Sequence, residues 1–197
     1  MAASVAACPC AYNRIGAQLI VSMNAQLEFA VRSDIEQLID QLASDDPTER
    51  ERARKSLIQI GHDAVIPLIH ELKSPSNRTC WEATKALGAI REMGAATDLA
   101  KNLDHDDGGI RWATAEALIA LGDEGLKQTL VALLTGASSG DLRRAARHVI
   151  WHFGHFPRGE FLRPLLARFN AFVPGVAIPP AALKALRWLN SGDELAR

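Results

Sequence analysis

Aromatic side chains are scarce in this chain: they make up 6% of 197 residues, with a single tyrosine. Any core must therefore be built from aliphatic side chains. Cysteine is also rare, with only Cys8, Cys10 and Cys80. An odd count without a paired framework excludes a disulfide-held scaffold and points to a reducing compartment, the cytoplasm. Charge of one sign is missing too, since 22 basic and 23 acidic residues leave a net charge of −1. That balance provides no field to draw in a polyanion, which disfavours nucleic acid as a partner. No run approaches the roughly 18 apolar residues of a membrane helix, so no membrane partner is expected. There is no phosphate-cradling glycine loop, no nucleophile–base pair and no zinc spacing. No cofactor, metal or small-molecule ligand is expected on those grounds.

What the chain has in abundance is Ala and Leu, the strongest apolar helix formers, and it has them periodically. SLIQIG (56–61), ALGAIR (86–91), ALIALG (117–122), VIWHFG (149–154) and ALRWLN (185–190) align in one column. The anchors Leu57, Leu87, Leu118, Ile150 and Leu186 are spaced by 30, 31, 32 and 36 residues. A second column, Leu42, Leu72, Leu103, Leu134 and Phe169, is spaced by 30, 31, 31 and 35. Fixed periods of this length mark an array of supersecondary units, each too small to bury its own apolar face. Such arrays offer an extended surface rather than an enclosed pocket.

Residues 1–22 stand apart, with no sustained periodicity and only Arg14 charged. They are expected to be disordered or to lie upstream of the true start, because Met23 opens MNAQLEFAV. Residues 23–197 then form the repeat domain, with units at about 34–61, 62–91, 94–122, 123–154 and 158–190. Each unit reads as two antiparallel helices. The first carries apolar residues at i, i+3, i+4 and i+7, as in Ile35, Leu38, Ile39 and Leu42. A turn follows, clearest in SDDPTER (44–50) and HDDGGIR (105–111), whose aspartates suit a helix N-terminus. The second helices are predicted at about 48–60, 77–90, 109–121, 139–153 and 179–189. Gly61, Gly122 and Gly154 fall where a left-handed residue ends a helix. NAFVPGVAIPP (170–180) reads as one long connection, with Pro179-Pro180 opening the last helix.

DDGGIRWATAEALIALGDEG (106–125) resembles a HEAT repeat, specifically the short form of the phycobilisome-lyase-like subfamily. Asp45, Asp46 and Arg50 match its pattern in the first unit, Asp106, Asp107, Ile110 and Arg111 in the third, and Leu142 and Arg143 in the fourth. Cys80 replaces the arginine in the second unit and Pro179 in the fifth. The resemblance covers about 34–190 and implies an all-α, right-handed α-solenoid of about five two-helix repeats. It also implies that Arg50, Arg111 and Arg143 are structural, tied to turn acids of their own or the adjacent unit. It does not fix an activity, because such repeats occur in scaffolds, adaptors and chromophore lyases alike.

Within the family, second helices line the concave side. Positions one, four and eight residues beyond the repeat's arginine position share one face, which places Trp81, Trp112, Arg144, Arg147 and Trp151 in neighbouring strips. Trp and Arg dominate binding hot spots. The competing reading is that the tryptophans fill gaps between units. His148, His152 and His155 have helical spacing, but no Cys or HExxH glutamate accompanies them, so His148 is assigned to groove lining rather than to a metal. The family's di-iron hydroxylases need several His-Glu dipeptides, and only His70-Glu71 is present. The expected function is a non-catalytic protein–protein interaction module, a scaffold or adaptor. Its partner is a protein or peptide, acidic in character, held by Trp81, Trp112, Arg144, Arg147, His148 and Trp151. The alternative is a phycobilin-lyase-like or chaperone-like subunit acting on a client protein.

Overall fold

The computed structural model describes Gln26, residues 32–155 and residues 157–192. The expectation on residues 1–22 lies outside the described residues. No strand occurs among those described.

Helix α1 covers 32–41 and is followed by α2 (Pro47–Ile60), α3 (His62–Glu71) and α4 (Asn77–Ile90). The next first helix is broken into a 3-10 turn (Met93–Ala95), α5 (Ala96–Lys101) and a second 3-10 turn (Asn102–Asp104). Then come α6 (Gly108–Ala120), α7 (Asp123–Gly136), α8 (Gly140–Gly154), a 3-10 segment (Pro157–Leu162), α9 (Arg163–Arg168) and α10 (Pro174–Gly192).

Side-chain oxygens open the second helices. Asp46 accepts from the Thr48 amide at 2.8 Å and Asp107 from the Gly109 amide at 2.7 Å. Ser76 and Ser139 take the same role for Thr79 and Leu142, at 3.3 and 3.2 Å. The caps thus alternate Asp, Ser, Asp, Ser along the array. Each satisfies an amide that the helix leaves without an internal partner.

The second helices α2, α4, α6 and α8 pack in succession as one layer, while α5 packs on α7 in the other. The anchors Leu57, Leu87, Leu118 and Ile150 are fully buried. So are Leu42 and Leu103 of the other column, with Leu72 nearly so. Leu134 is only half-buried, and its neighbour Leu133 is the buried residue there. The tightest contact between second helices is α4 on α6, where a Cβ at Gly88 would lie 2.8 Å from the Ala117 Cβ.

The fifth unit departs from the expected register. Residues 170–180 are not one connection: α10 starts at Pro174 and runs through Pro179 and Pro180. It packs on α7, a first helix, whereas the 3-10 segment 157–162 packs on α8. The last two elements therefore exchange layers relative to the four units before them. The face of α10 that is buried carries Ile178, Ala182 and Ala185. Leu186, expected in the core, is only half-buried. The start of α10 lies beside the end of α7, with Gly175 in ordinary van der Waals reach of Ser138.

Helix ends also differ from expectation at two places. Gly61 and Gly122 have the positive φ of a terminating glycine, +74° and +66°. Gly154 does not. It remains inside α8, where an added Cβ would lie 3.1 Å from Leu166 Cδ1; the close backbone approach belongs to Gly159, whose added Cβ would lie 2.7 Å from the Gly154 Cα. In the second unit the left-handed position is held by Arg91, with φ 59°.

Candidate interaction surface

The arginines that recur from unit to unit were expected to tie to turn acids, and the structure shows a different first contact. The Arg50 Nη1 donates to the carbonyls of Ser44 and Asp45 at 2.8 and 3.0 Å. Arg111 donates to those of His105 and Asp106 at 2.6 and 2.8 Å, and Arg143 to those of Ala137 and Ser138 at 2.7 and 2.6 Å. Each guanidinium thus closes the turn of its own unit through backbone oxygens. The acids it meets belong to the next unit: Glu82 lies 3.5 Å from Arg50 and Asp141 lies 3.4 Å from Arg111. In the second unit Cys80 fills the same place. Its thiol donates to the Leu72 carbonyl at 3.3 Å, with the Asn102 amide joining at 3.0 Å. Burial pushes that thiol above its usual pKa, keeping it protonated.

On the outer face of the second-helix layer, the residues singled out from the sequence occupy three adjacent helices. Trp81 (α4) is half-buried, and the Lys85 ammonium lies 4.2 Å from the centre of its ring. Cation–π attraction of this geometry stabilises both groups. Burial, with the Arg54 charge added, lowers the Lys85 pKa. Trp112 (α6) is 58% exposed and lines a shallow depression with Lys85, Gly88 and Glu116. Lys85 therefore links the surroundings of the two tryptophans. On α8, Trp151 is 52% exposed and its ring centroid lies 3.9 Å from that of His155.

The charged members are arranged unevenly. Arg147 is exposed. Arg144 is exposed as well but pairs with Asp141 one turn earlier. His148 reaches across to α6, where its Nε2 lies 2.7 Å from Glu116 Oε1. The histidines of α8 and its C-terminal end point to different partners: His155 Nδ1 lies 2.7 Å from the Trp151 carbonyl, and His152 meets the ring of Phe153 edge-on at 5.4 Å. Among the described residues no cluster of three His, Cys, Asp or Glu side chains is placed to hold a metal.

Two features here were not anticipated. Glu82 is buried, with its side chain 5% exposed, and it takes an ion pair with Arg54 besides the contact with Arg50. The signal was available: Glu82 stands in the column occupied by Ala113 and Ala145, both buried. A carboxylate in an alanine column needs a cation, and the preceding unit offers two. The second feature is the stacking of Phe161 on Trp188, with centroids 4.0 Å apart and planes 15° apart. It depends on the layer exchange, which the spacing does not reveal.

Stacked helix pairs in a register of about thirty residues define an α-solenoid. The model of the family described as HEAT repeats matches residues 35–111 and 73–151. These overlapping spans cover more than half of the chain, which therefore belongs to the HEAT-repeat family. Among solved structures, the chain is similar to the crystal structure of an engineered protein, with 20% identity, 80% of each chain covered and a TM-score of 0.41. No curated protein matches the chain in sequence.

Proposed function

We propose that this protein is a non-catalytic interaction module whose second-helix layer docks a partner segment across α4, α6 and α8. The observation that carries the reading is the exposure of Trp112 and Trp151 on adjacent helices, with Lys85 and Arg147 beside them. Large exposed aromatics on a soluble surface imply a covering partner, and Trp and Arg concentrate binding energy. Lys85, Arg144 and Arg147 outnumber Glu116 and Asp141 on this surface, which supports an acidic or carboxylate-bearing segment. Scaffold and adaptor roles are the general use of HEAT arrays, and we read the repeat form as the phycobilisome-lyase-like subtype from its turn arginines. The buried thiol of Cys80 fits a reducing compartment, and we place the module in the cytoplasm.

The test is Trp112→Ala. Affinity for a partner recovered from the source cells should fall by about 2 kcal/mol or more, with little change in the melting temperature, because the indole lies outside the core. Loss of folding without a separable binding defect would show that Trp112 is a packing residue.

A further inference from the structure

A groove lined by described residues lies away from the tryptophan surface, between α9 with its preceding 3-10 segment and α10. It has a volume of about 870 Å³ and is lined by Phe161, Pro164, Ala177, Ala181 and Trp188, with Arg168 on one wall and Lys184 on the other. We propose that this groove docks one amphipathic helix of a partner protein, presenting an apolar stripe flanked by acidic residues.

Shape argues for a helix. The α10 wall runs from Ala177 through Pro180, Ala181, Lys184 and Ala185 to Trp188, every third or fourth residue over three turns. At 1.5 Å per residue that wall is about 16 Å long, the footprint of a helix laid in a groove rather than of a compact ligand. The floor supplies an anchor, since Trp188 is 47% exposed while its ring rests on Phe161.

Charge selects the occupant. The carboxylate of Glu160 at the groove edge is 3.4 Å from Arg163. Arg168 and Lys184 are both exposed and enter no ion pair among the described residues. The groove thus carries two opposed, uncompensated cations over an apolar floor, matching acidic flanks on an apolar helix face. A second copy of this chain does not fit. Meeting tail to tail, it would set Arg168, Lys184 and the exposed Arg187 against their own equivalents. Meeting head to tail, it would offer α1 and α2, where no large hydrophobic side chain is exposed among the described residues.

The test uses the full chain and two synthetic helical peptides of about four turns with the same leucine stripe, one flanked by Glu and one by Lys. Binding is read by fluorescence anisotropy of labelled peptide, and self-association by light scattering. The expected result is a monomer that binds the Glu peptide saturably and the Lys peptide at least about tenfold more weakly. The doubly substituted Arg168→Glu/Lys184→Glu protein should lose about tenfold or more in affinity for the Glu peptide, with an unchanged melting curve. The milder Lys184→Gln should lose less, and Trp112→Ala should leave this binding intact. That last variant separates the groove from the surface of the proposed function. The inference is overturned by absence of saturable binding, by equal binding of both peptides, or by loss of binding in Trp112→Ala rather than in the double variant. It is equally overturned by dimerisation through the groove, or if binding requires removal of residues 193–197, which would make the chain's own tail the occupant.

Discussion

Arg91 is the one described non-glycine residue with a positive φ. A left-handed conformation costs an L residue about 1–2 kcal/mol, which glycine avoids while losing more entropy on folding. Arg91→Gly should therefore stabilise the protein by about 0.5–1 kcal/mol in urea denaturation. A loss of stability instead would mean that the arginine side chain contributes a contact outweighing the strain. Glu82 makes the opposite case. Its carboxylate is shared by Arg50 and Arg54 in a mostly buried site, so Glu82→Ala removes the carboxylate from Arg54 and leaves Arg50 only its turn carbonyls, and should cost about 2–4 kcal/mol. Removing Arg54 as well should cost less than the sum of the two single changes, since the groups act as a unit. Single-residue features divide cleanly in how far they could be read from sequence. Leu57, Leu87, Leu118 and Ile150 were legible because burial repeats with the helical period. The exposure of Trp112 against the half-burial of Trp81 was not, because it depends on Lys85 folding over one ring, and side-chain rotamers leave no trace in spacing.

At the scale of the helix, the N-terminal caps tie stability to pH. The amides of Ile110 and Gly109 hold the Asp107 carboxyl below its ordinary value of 3.8, with the Asn77 amide adding to them. A carboxylate whose folded pKa is depressed stabilises the folded state above the unfolded pKa. That contribution disappears as pH falls through the folded value. Asp45, held down by Arg78, and Asp141, held down by Arg144, act in the same direction. The melting temperature should accordingly fall as pH drops below about 4. In Asp107→Asn, which keeps a capping oxygen, the fall should be shallower while the melting temperature at neutral pH changes little. An identical acid slope in the variant would show that Asp107 is not one of the responsible groups. The DD turns signalled two of these caps in advance. Ser76 and Ser139 were harder to read, because serine is common in turns that cap nothing. Gly154 misled for a related reason: a glycine that leaves room for a neighbouring side chain, here Leu166, and a glycine needed for positive φ are the same letter.

Across the whole molecule, stability passes from unit to unit through shared faces. Leu118 lies in α6, between α4 and α8, with no exposed surface. Leu118→Ala should cost about 2–5 kcal/mol by cavity formation, and Leu186→Ala, from a half-buried site on the last helix, clearly less. Equal costs, measured by urea denaturation, would mean that α10 is packed as tightly as the central unit. The repeat number and two-helix plan were legible because two leucine columns carried them independently. The exchange of layers at the end was not. It lies in the packing of α10 on α7 and of the short 3-10 segment on α8, geometries that a 36-residue spacing does not distinguish from a longer loop.

That exchange also decides which way a tether leads. A fluorescent protein or immobilising tag joined after α10 departs from the layer of α5 and α7, behind the helices that carry Trp112 and Trp151. Had α10 continued the stack of α2, α4, α6 and α8, the same attachment would stand beside the tryptophans and crowd them. For surface immobilisation, the C-terminal end is thus the handle that leaves the aromatic face turned toward solution.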